Sequence, residues 1–157
     1  MKFIFVIHKN YSKPKSVLIL DRDGVVIEDT GYPHKLKEII FEDKKIEKIK
    51  SIINKRKFDI CGFATNQSGV GRKYFSEMQF WKCHNYIINF CLSKGLNINF
   101  SAVNFFTSDS YYRKPNCGML DQIKYFYKVD NDSILFVGDK TSDAEAAKKA
   151  NISFMYI

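Results

Sequence analysis

Four consecutive apolar residues, Val17 to Leu20, lead directly into two aspartates, Asp21 and Asp23, and then into Gly24. Such a run is typical of a strand buried inside a sheet, and both carboxylates then lie just beyond the carboxyl end of that strand. Ligands of open α/β sheets bind at this edge. A carboxylate there can act as a nucleophile, a metal ligand or a general acid and base. Taken alone, the pattern also fits a solvated turn after a strand.

The rest of the chain alternates strands with helices, which predicts a doubly wound α/β fold with a parallel sheet and right-handed crossovers. The predicted strands cover residues 3–7, 17–20, 58–64, 98–106, 134–138 and 153–157. The predicted helices are one that carries Ile46 to Ile53, one that begins at the capping box Ser76 to Gln79 and stops at Gly95, and those at 117–128 and 142–150. We expect a single domain over residues 1–157, in which residues 1–16 form an additional N-terminal segment.

Composition limits the class of protein. The chain has 157 residues, of which 45% are hydrophobic, and this is enough for one sizeable core. Its four cysteines form no CxxC pair, which indicates reduced thiols and favours a cytoplasmic location. The first apolar run, at 3–7, is too short for a signal peptide or a membrane span, so no membrane partner is expected.

The formal net charge of +8 favours anionic partners such as phosphorylated metabolites or nucleic acid. Nucleic acid is the less favoured of these, because the lysines are scattered and form no dense basic stretch interleaved with aromatic residues. The sign of the charge alone does not choose among these partners. As the assembly we expect a monomer or a weak homo-oligomer.

Three further segments lie at or just beyond predicted strand ends. They are Phe63-Ala64-Thr65-Asn66-Gln67, Arg113-Lys114-Pro115 and Val137-Gly138-Asp139-Lys140-Thr141-Ser142-Asp143. Because parallel strands end at one edge of the sheet, we expect these segments and the Asp21 segment to form one site. In order and in residue type, the four segments resemble the signature motifs of the haloacid dehalogenase (HAD) superfamily of phosphotransferases.

This resemblance implies a catalytic role for four residues. Asp21 would attack phosphorus and form an aspartyl-phosphate, and Asp23 would protonate the leaving alcohol and then activate a water. Thr65 would bind a phosphoryl oxygen, and Lys114 would neutralise the charge that Asp21 shares with the phosphoryl group. The simpler interpretations are that Thr65 caps a turn and that Lys114 is solvated.

The resemblance also implies a magnesium site. Its ligands would be Asp21, Asp139 and the backbone carbonyl of Asp23, because Mg²⁺ takes few carboxylates together with waters and substrate oxygens. Asp143 would hold a metal-bound water or orient Lys114. Equally, the Asp143 carboxylate would only favour the N-terminal turn of the helix that follows it.

Several segments narrow the resemblance to one branch of the superfamily, the D-glycero-D-manno-heptose 1,7-bisphosphate phosphatases and the related histidinol-phosphate phosphatases. They are Leu20-Asp21-Arg22-Asp23-Gly24, Asp29-Thr30-Gly31-Tyr32, the run from Thr65 to Arg72, Arg113-Lys114-Pro115 with Gly118-Met119, and Gly138-Asp139-Lys140. By this resemblance the substrate-binding candidates are Asp29, Gly31, Tyr32, Asn66, Gln67, Ser68, Arg113 and Lys140. The implied substrate is a sugar phosphate, a heptose bisphosphate destined for surface polysaccharide such as lipopolysaccharide.

The chain departs from this branch just before Arg113. Most members carry a Cys/His zinc loop there, whereas residues 106–112 contain neither Cys nor His, so we expect no structural zinc. The short intervals between Asp23, Thr65 and Lys114 leave no room for an inserted cap domain. We therefore expect a cap-less, open site.

Three alternatives to a magnesium-dependent sugar-phosphate phosphatase stay open at this point. The chain could hydrolyse histidinol phosphate, or it could be a polynucleotide 3′-phosphatase that uses its positive charge. It could also be a catalytically silent binding protein that keeps the HAD fold. A purely structural role, however, requires no such set of acids facing one cleft.

Overall fold

The computed structural model describes residues 2–157 and consists of six strands and five helices with two short 3₁₀ turns. The strands are β1 (Phe3–Ile7), β2 (Val17–Leu20), β3 (Ile60–Asn66), β4 (Phe100–Asn104), β5 (Ile134–Gly138) and β6 (Ser153–Tyr156). The helices are α1 (Asp43–Arg56), α2 (Ser68–Gly71), α3 (Glu77–Ser93), α4 (Gly118–Tyr127) and α5 (Thr141–Ala150), and the 3₁₀ turns are Leu36–Glu38 and Asn131–Ser133.

All six strands form one sheet in the order β1-β4-β3-β2-β5-β6. Strands β4, β3, β2, β5 and β6 are parallel, which confirms the predicted doubly wound α/β class. Strand β1 differs, because it runs antiparallel to β4 with Phe3 opposite Asn104 and Ile7 opposite Phe100. The sheet is therefore mixed rather than wholly parallel, and the N-terminal segment supplies its edge strand.

The four apolar residues of β2 are buried because helices cover both faces of the sheet. Val17 and Ile19 pack in one core with residues of α4 and α5. Leu18 and Leu20 pack in a second core with residues of α1 and α3. Continuous burial on both faces explains why β2 shows no alternation of polar and apolar residues.

Element boundaries differ from the predictions by a few residues, for local reasons. Strand β3 begins at Ile60 rather than at 58, because α1 ends in a left-handed residue, Lys57, and the chain turns there. Strand β4 ends at Asn104, whose Oδ1 accepts the backbone N–H of Phe106 at 3.1 Å. The predicted capping box of α3 is confirmed, since the Ser76 hydroxyl accepts the N–H of Gln79 at 3.2 Å.

Central β2 and its neighbours direct their carboxyl ends to one edge of the sheet, where three of the motif segments begin, whereas Arg113-Lys114-Pro115 lies in the loop between β4 and α4. The connection from β2 to β3 contains the turn Leu36–Glu38 and α1. Among residues 2–157, none of the helices is long and apolar enough to cross a membrane.

Candidate active site

A buried lysine links two motif segments to the carboxylate that follows β2. The Lys114 ammonium lies 2.9 Å from Asp21 Oδ1 and 2.7 Å from Asp143 Oδ1, and it donates to the backbone oxygen of Ala64 at 2.9 Å. Burial alone would lower the pKa of Lys114, but the Asp21 and Asp143 carboxylates outweigh it and raise that pKa. The lysine is therefore a fixed positive charge within the site and not a solvated surface group.

Asp21 is held in place by the sheet and by its charged neighbours. Its backbone N–H donates to the oxygen of Val137 at 2.9 Å, so the residue continues the edge between β2 and β5. Burial raises the pKa of Asp21 to about 6, while Lys114 works in the opposite direction. A further cation near Asp21 would stabilise its ionised form.

Three carboxylates converge beside Lys114 in a way that fits a divalent cation. One oxygen from each of Asp21, Asp139 and Asp143 lies within 4.8 Å of the other two. Asp139 Oδ1 is buried, and it has no hydrogen-bond partner among residues 2–157. Burial raises the pKa of Asp139, and the nearby Asp143 carboxylate adds to this effect. Hard carboxylate oxygens with an unsatisfied acceptor are the donors that Mg²⁺ prefers.

Gly24 allows this cluster to form. Its φ is +85°, a conformation that favours glycine, and a Cβ at this position would overlap the Asp139 carboxylate. The close approach of the turn after β2 to the end of β5 therefore requires a residue without a side chain.

Asp143 combines two of the roles that the sequence left open. One of its oxygens contacts the Lys114 ammonium, and the other accepts the backbone N–H of Lys140 at 3.1 Å, at the start of α5. The residue thus orients Lys114 and caps the helix at the same time.

Asp23 lies in a second group of polar side chains. Its Oδ2 accepts from Gln67 Nε2 at 2.6 Å and from Thr65 Oγ1 at 3.4 Å. The fully buried Arg22 binds both oxygens of the same carboxylate. Sequence reasoning missed Arg22, although its position between two site aspartates was an available signal.

Two of the predicted substrate-binding residues point their polar groups at the protein. The Asn66 amide donates to the backbone oxygen of Lys114 at 3.0 Å and accepts its N–H at 3.2 Å. Arg113 donates to the backbone oxygen of Phe106 at 3.1 Å. These contacts fix the loop that carries Lys114. A third predicted residue, Gln67, donates its side-chain amide to Asp23 and to Thr65.

The predicted site residues divide between a small cavity and its surroundings. The cavity of about 50 Å³ is lined by Asp21, Asp23, Asn66, Lys114, Lys140, Ser142 and Asp143. Lys140 donates to Asp29 Oδ2 at 2.6 Å, which brings these two predicted residues together near the opening. Gly31 and Tyr32 lie in the exposed loop after Asp29, and Tyr32 lines a separate surface pocket. Ser68 is buried at the start of α2.

Comparison with known families gives this geometry a context. The polynucleotide kinase 3 phosphatase family matches residues 16–155, which is nearly the whole chain. The chain belongs to this family. The four motif segments all lie within the match, and the membership predicted from them, in the HAD superfamily, is confirmed.

Two bacterial enzymes are among the relatives that are similar to this family member in sequence. The D-glycero-alpha-D-manno-heptose-1,7-bisphosphate 7-phosphatase of Photorhabdus laumondii is 34% identical over 145 residues, covering 87% of this chain and 78% of the relative. The enzyme of the same name from Campylobacter jejuni is 30% identical over 140 residues, covering 89% of this chain and 80% of the relative.

A solved structure is similar in fold as well as in sequence. It is the D,D-heptose 1,7-bisphosphate phosphatase of B. bronchiseptica in complex with magnesium and phosphate. Its TM-score is 0.80 at 27% identity, over 88% of this chain and 78% of the other.

Proposed function

We propose that this protein is a magnesium-dependent phosphatase that hydrolyses a sugar phosphate, D-glycero-D-manno-heptose 1,7-bisphosphate, through an aspartyl-phosphate. The observation that carries this proposal is the Asp21–Lys114–Asp143 ion-pair cluster beside Asp139. In this proposal Asp21 is the nucleophile and Lys114 is the fixed cation, and both line one small cavity beside the carboxylates that would bind a metal. The names of the relatives support the choice of substrate.

In the first step, a carboxylate oxygen of Asp21 attacks phosphorus and forms a new P–O bond. The bond from phosphorus to the substrate's alcohol oxygen breaks, and its electron pair goes to that oxygen. The proton of the Asp23 carboxyl group moves to the same oxygen, so that a neutral alcohol leaves.

In the second step, a water molecule attacks the phosphorus of the aspartyl-phosphate. Its proton goes to the Asp23 carboxylate, and the bond from phosphorus to Asp21 breaks. Inorganic phosphate leaves, and both aspartates return to their starting states. One residue thus serves as acid and then as base, as the reversal of the first step requires.

Lys114 and Thr65 act on the charge of the phosphoryl group. Lys114 is positioned to share its positive charge between Asp21 and the equatorial phosphoryl oxygens, which is the largest contribution in this type of transfer. Thr65 is fully buried at the end of β3, and on substrate binding its hydroxyl would exchange its 3.4 Å contact with Asp23 Oδ2 for one of these oxygens.

Asp21, Asp139 and the backbone carbonyl of Asp23 are the groups that would hold Mg²⁺, and Asp143 would hold a metal-bound water while it orients Lys114. When bound, this ion supplies positive charge to the phosphoryl oxygens and lowers the repulsion between the anionic substrate and the acid cluster. The oxygen-only donor set with one unsatisfied carboxylate oxygen supports this choice of ion.

Substrate recognition involves the residues around the cavity. The candidates stay those of the heptose-bisphosphate branch, namely Asp29, Gly31, Tyr32, Asn66, Gln67, Ser68, Arg113 and Lys140. Lys140 and Asp29 are the strongest of them, because both are partly exposed near the cavity and offer charged groups to sugar hydroxyls or to a second phosphate.

The four free cysteines support a reducing, cytoplasmic location.

A panel of phosphate esters tests this function. Phosphate release is measured from heptose 1,7-bisphosphate, histidinol phosphate and a 3′-phosphorylated oligonucleotide, each with Mg²⁺ and with a chelator. The heptose ester is expected to have the highest kcat/KM, and the chelator to abolish turnover. A preference for the oligonucleotide would assign the protein to nucleic-acid repair chemistry instead, as the family's name and the +8 charge allow.

A further inference from the structure

Arg22 is an unusual residue for the interior of this protein. It has the largest side chain among those that are fully buried, and it lies between two site aspartates. Burying a guanidinium is costly unless a partner neutralises it. The partner here is Asp23, because Arg22 Nε donates to Asp23 Oδ2 at 3.1 Å and Nη2 donates to Oδ1 at 2.9 Å.

This two-point contact fixes the plane of the Asp23 carboxylate. A planar guanidinium that binds both oxygens leaves the carboxylate little freedom to rotate. Gln67 Nε2 adds a hydrogen bond of 2.6 Å to Oδ2, and Thr65 Oγ1 approaches the same oxygen at 3.4 Å. Oδ2 therefore accepts from three side chains, whereas Oδ1 accepts from Arg22 alone among residues 2–157.

Arg22 is itself held rigidly. Its guanidinium carbon lies 5.4 Å from the centre of the Phe80 ring, which lies on α3, a favourable cation–π distance. Its backbone oxygen accepts the N–H of Val26 at 3.0 Å and that of Val25 at 3.3 Å. The turn after β2 and the face of α3 thus fix the guanidinium, and the guanidinium in turn fixes Asp23.

We propose that Arg22, assisted by Gln67, is a positioning residue that holds Asp23 so that Oδ1, which accepts from Arg22 alone among the described residues, can use its remaining lone pair to exchange a proton with the leaving alcohol. The inference rests on the proposed function, in which Asp23 is the proton donor. Arg22 neither gains nor loses a proton in this step. The proton moves from Asp23 to the alcohol oxygen as the bond from that oxygen to phosphorus breaks.

The test uses the fact that only poor leaving groups need this proton. Without a proton, the leaving group of an alkyl phosphate such as the sugar ester is a strongly basic alkoxide. The leaving group of 2,4-dinitrophenyl phosphate is 2,4-dinitrophenolate, which is a stable anion. Arg22→Lys keeps the charge but not the two-point contact. We expect its kcat/KM to fall by about tenfold or more on the sugar ester and by less than about threefold on the aryl ester, because misplaced acid catalysis loses part of its usual factor of about 10² to 10⁴.

Two controls separate positioning from a general loss of structure. Arg56→Lys changes another arginine that stacks on an aromatic ring, Phe58, at the same 5.4 Å distance but far from the cavity, and it is expected to change neither rate. In an Asp23→Asn background, Arg22→Lys is expected to cause no further loss on either ester, since the group that it positions is already disabled.

A second variant keeps the inference testable if Arg22→Lys does not fold. Gln67→Met removes one donor to Asp23 Oδ2 and retains the length of the side chain, and it is expected to reduce the sugar-ester rate selectively, with kcat affected and KM unchanged. A rise in KM alone would instead place Gln67 against the substrate and would contradict this part of the inference.

The two possible failures are distinguishable. If the wild-type protein hydrolyses neither ester, the proposed function is wrong. If the wild type is active and Arg22→Lys slows both esters equally, the phosphatase function stands, and the positioning role of Arg22 is wrong.

Discussion

Gly24 links the conformation of the β2 turn to the geometry of the acid cluster. Its positive φ disfavours any other residue, and a Cβ there would overlap the carboxylate of Asp139. The strain of a left-handed alanine alone is about 1 kcal/mol. Displacement of Asp139 is a separate effect, and it acts on the metal site rather than on the fold.

We therefore expect Gly24→Ala to raise the Mg²⁺ concentration for half-maximal activity by roughly tenfold or more, the size of effect that misplaced ligand supports produce. Gly95→Ala is the matched control. Gly95 has a φ of +80° but open space around its Cβ position, where the nearest atom is Lys50 Cε at 3.9 Å. Its variant should lose similar stability and keep the magnesium dependence. Identical magnesium curves for both variants would contradict the role given to Gly24.

His84 makes a pH-dependent contribution to stability. It is fully buried on α3, with Nε2 2.8 Å from the Ser101 hydroxyl. Burial lowers the pKa of His84 well below 6.5, and the nearby Arg22 and His8 act in the same direction. Below about pH 6.5 the unfolded chain takes up a proton that the folded protein excludes, so this contribution to the free energy of unfolding is lost as the pH falls.

A histidine that stays neutral in the folded state lowers the free energy of unfolding by about 1.4 kcal/mol for each pH unit below its unfolded pKa. We expect His84→Gln to remove this dependence. Between about pH 7 and about pH 5.5, the wild type should lose roughly 1 kcal/mol more of its free energy of unfolding than the variant does, as measured by urea denaturation. Parallel losses in the two proteins would mean that His84 is protonated in the folded state.

At the residue scale, the sequence predicts the chemistry of a side chain more reliably than it predicts the groups that the side chain contacts. Position just beyond a strand end predicted that Asp21 and Asp139 lie together, whereas Lys114 and Asp143 were assigned to the same site by the resemblance of their segments to the family motifs. The position of Arg22 between two site aspartates was a signal for its role, but its inward orientation does not follow from the sequence, because the alternation of side chains ends with the strand. The partners of Asn66 likewise depend on where the distant loop around Lys114 returns.

Helix α3 is the element whose start was best defined by local signals. Ser76 and Gln79 bond reciprocally, as the capping box predicts. Ser76→Ala removes the side-chain acceptor for the Gln79 N–H and is expected to lower the free energy of unfolding by about 1 kcal/mol.

Ser51→Ala is the control for this change. Ser51 is exposed inside α1, where alanine is the better helix former, so the variant should be unchanged or slightly stabilised. Equal effects of the two substitutions on thermal unfolding would show that the cap contributes nothing beyond helix propensity.

Most elements were predictable from sequence because their patterns are local. Apolar runs, the capping box and the glycine after α3 depend only on neighbours in the chain. The direction of β1 was not predictable, since an apolar strand pairs either way. It is determined by contacts remote in sequence, namely the pairing of Phe3–Ile7 with β4 and the packing of Phe3 and Phe5 on the core.

At the scale of the whole molecule, side chains from two helices hold the loop around Lys114. This loop lacks the Cys and His residues that bind zinc in most members of the branch. Asn116 donates to Asp109 Oδ1 at 2.7 Å and accepts from Lys149 of α5 at 2.8 Å. The hydroxyl of Tyr111 donates to Asp121 of α4 at 2.6 Å. These bonds attach the loop to both helices, together with the backbone bond from the Gly118 N–H of α4 to the Tyr111 oxygen at 2.9 Å.

We therefore predict that metal analysis of the purified protein finds no stoichiometric zinc. A chelator should leave the melting temperature of the zinc-free protein unchanged, while added Mg²⁺ should raise it, because binding to the folded state stabilises that state. One equivalent of tightly held zinc per chain would contradict this account of the loop.

In the proposed mechanism, the phosphoryl group is transferred to Asp21 before water takes it up. The most direct measurement is to quench the enzyme during turnover of the sugar ester, reduce it with borohydride and map the modified peptide by mass spectrometry. Reduction converts an aspartyl-phosphate to homoserine, and we predict homoserine at position 21 in the wild type and none in Asp21→Asn, which should also be inactive. Full turnover by Asp21→Asn, or homoserine at any other aspartate, would contradict this mechanism.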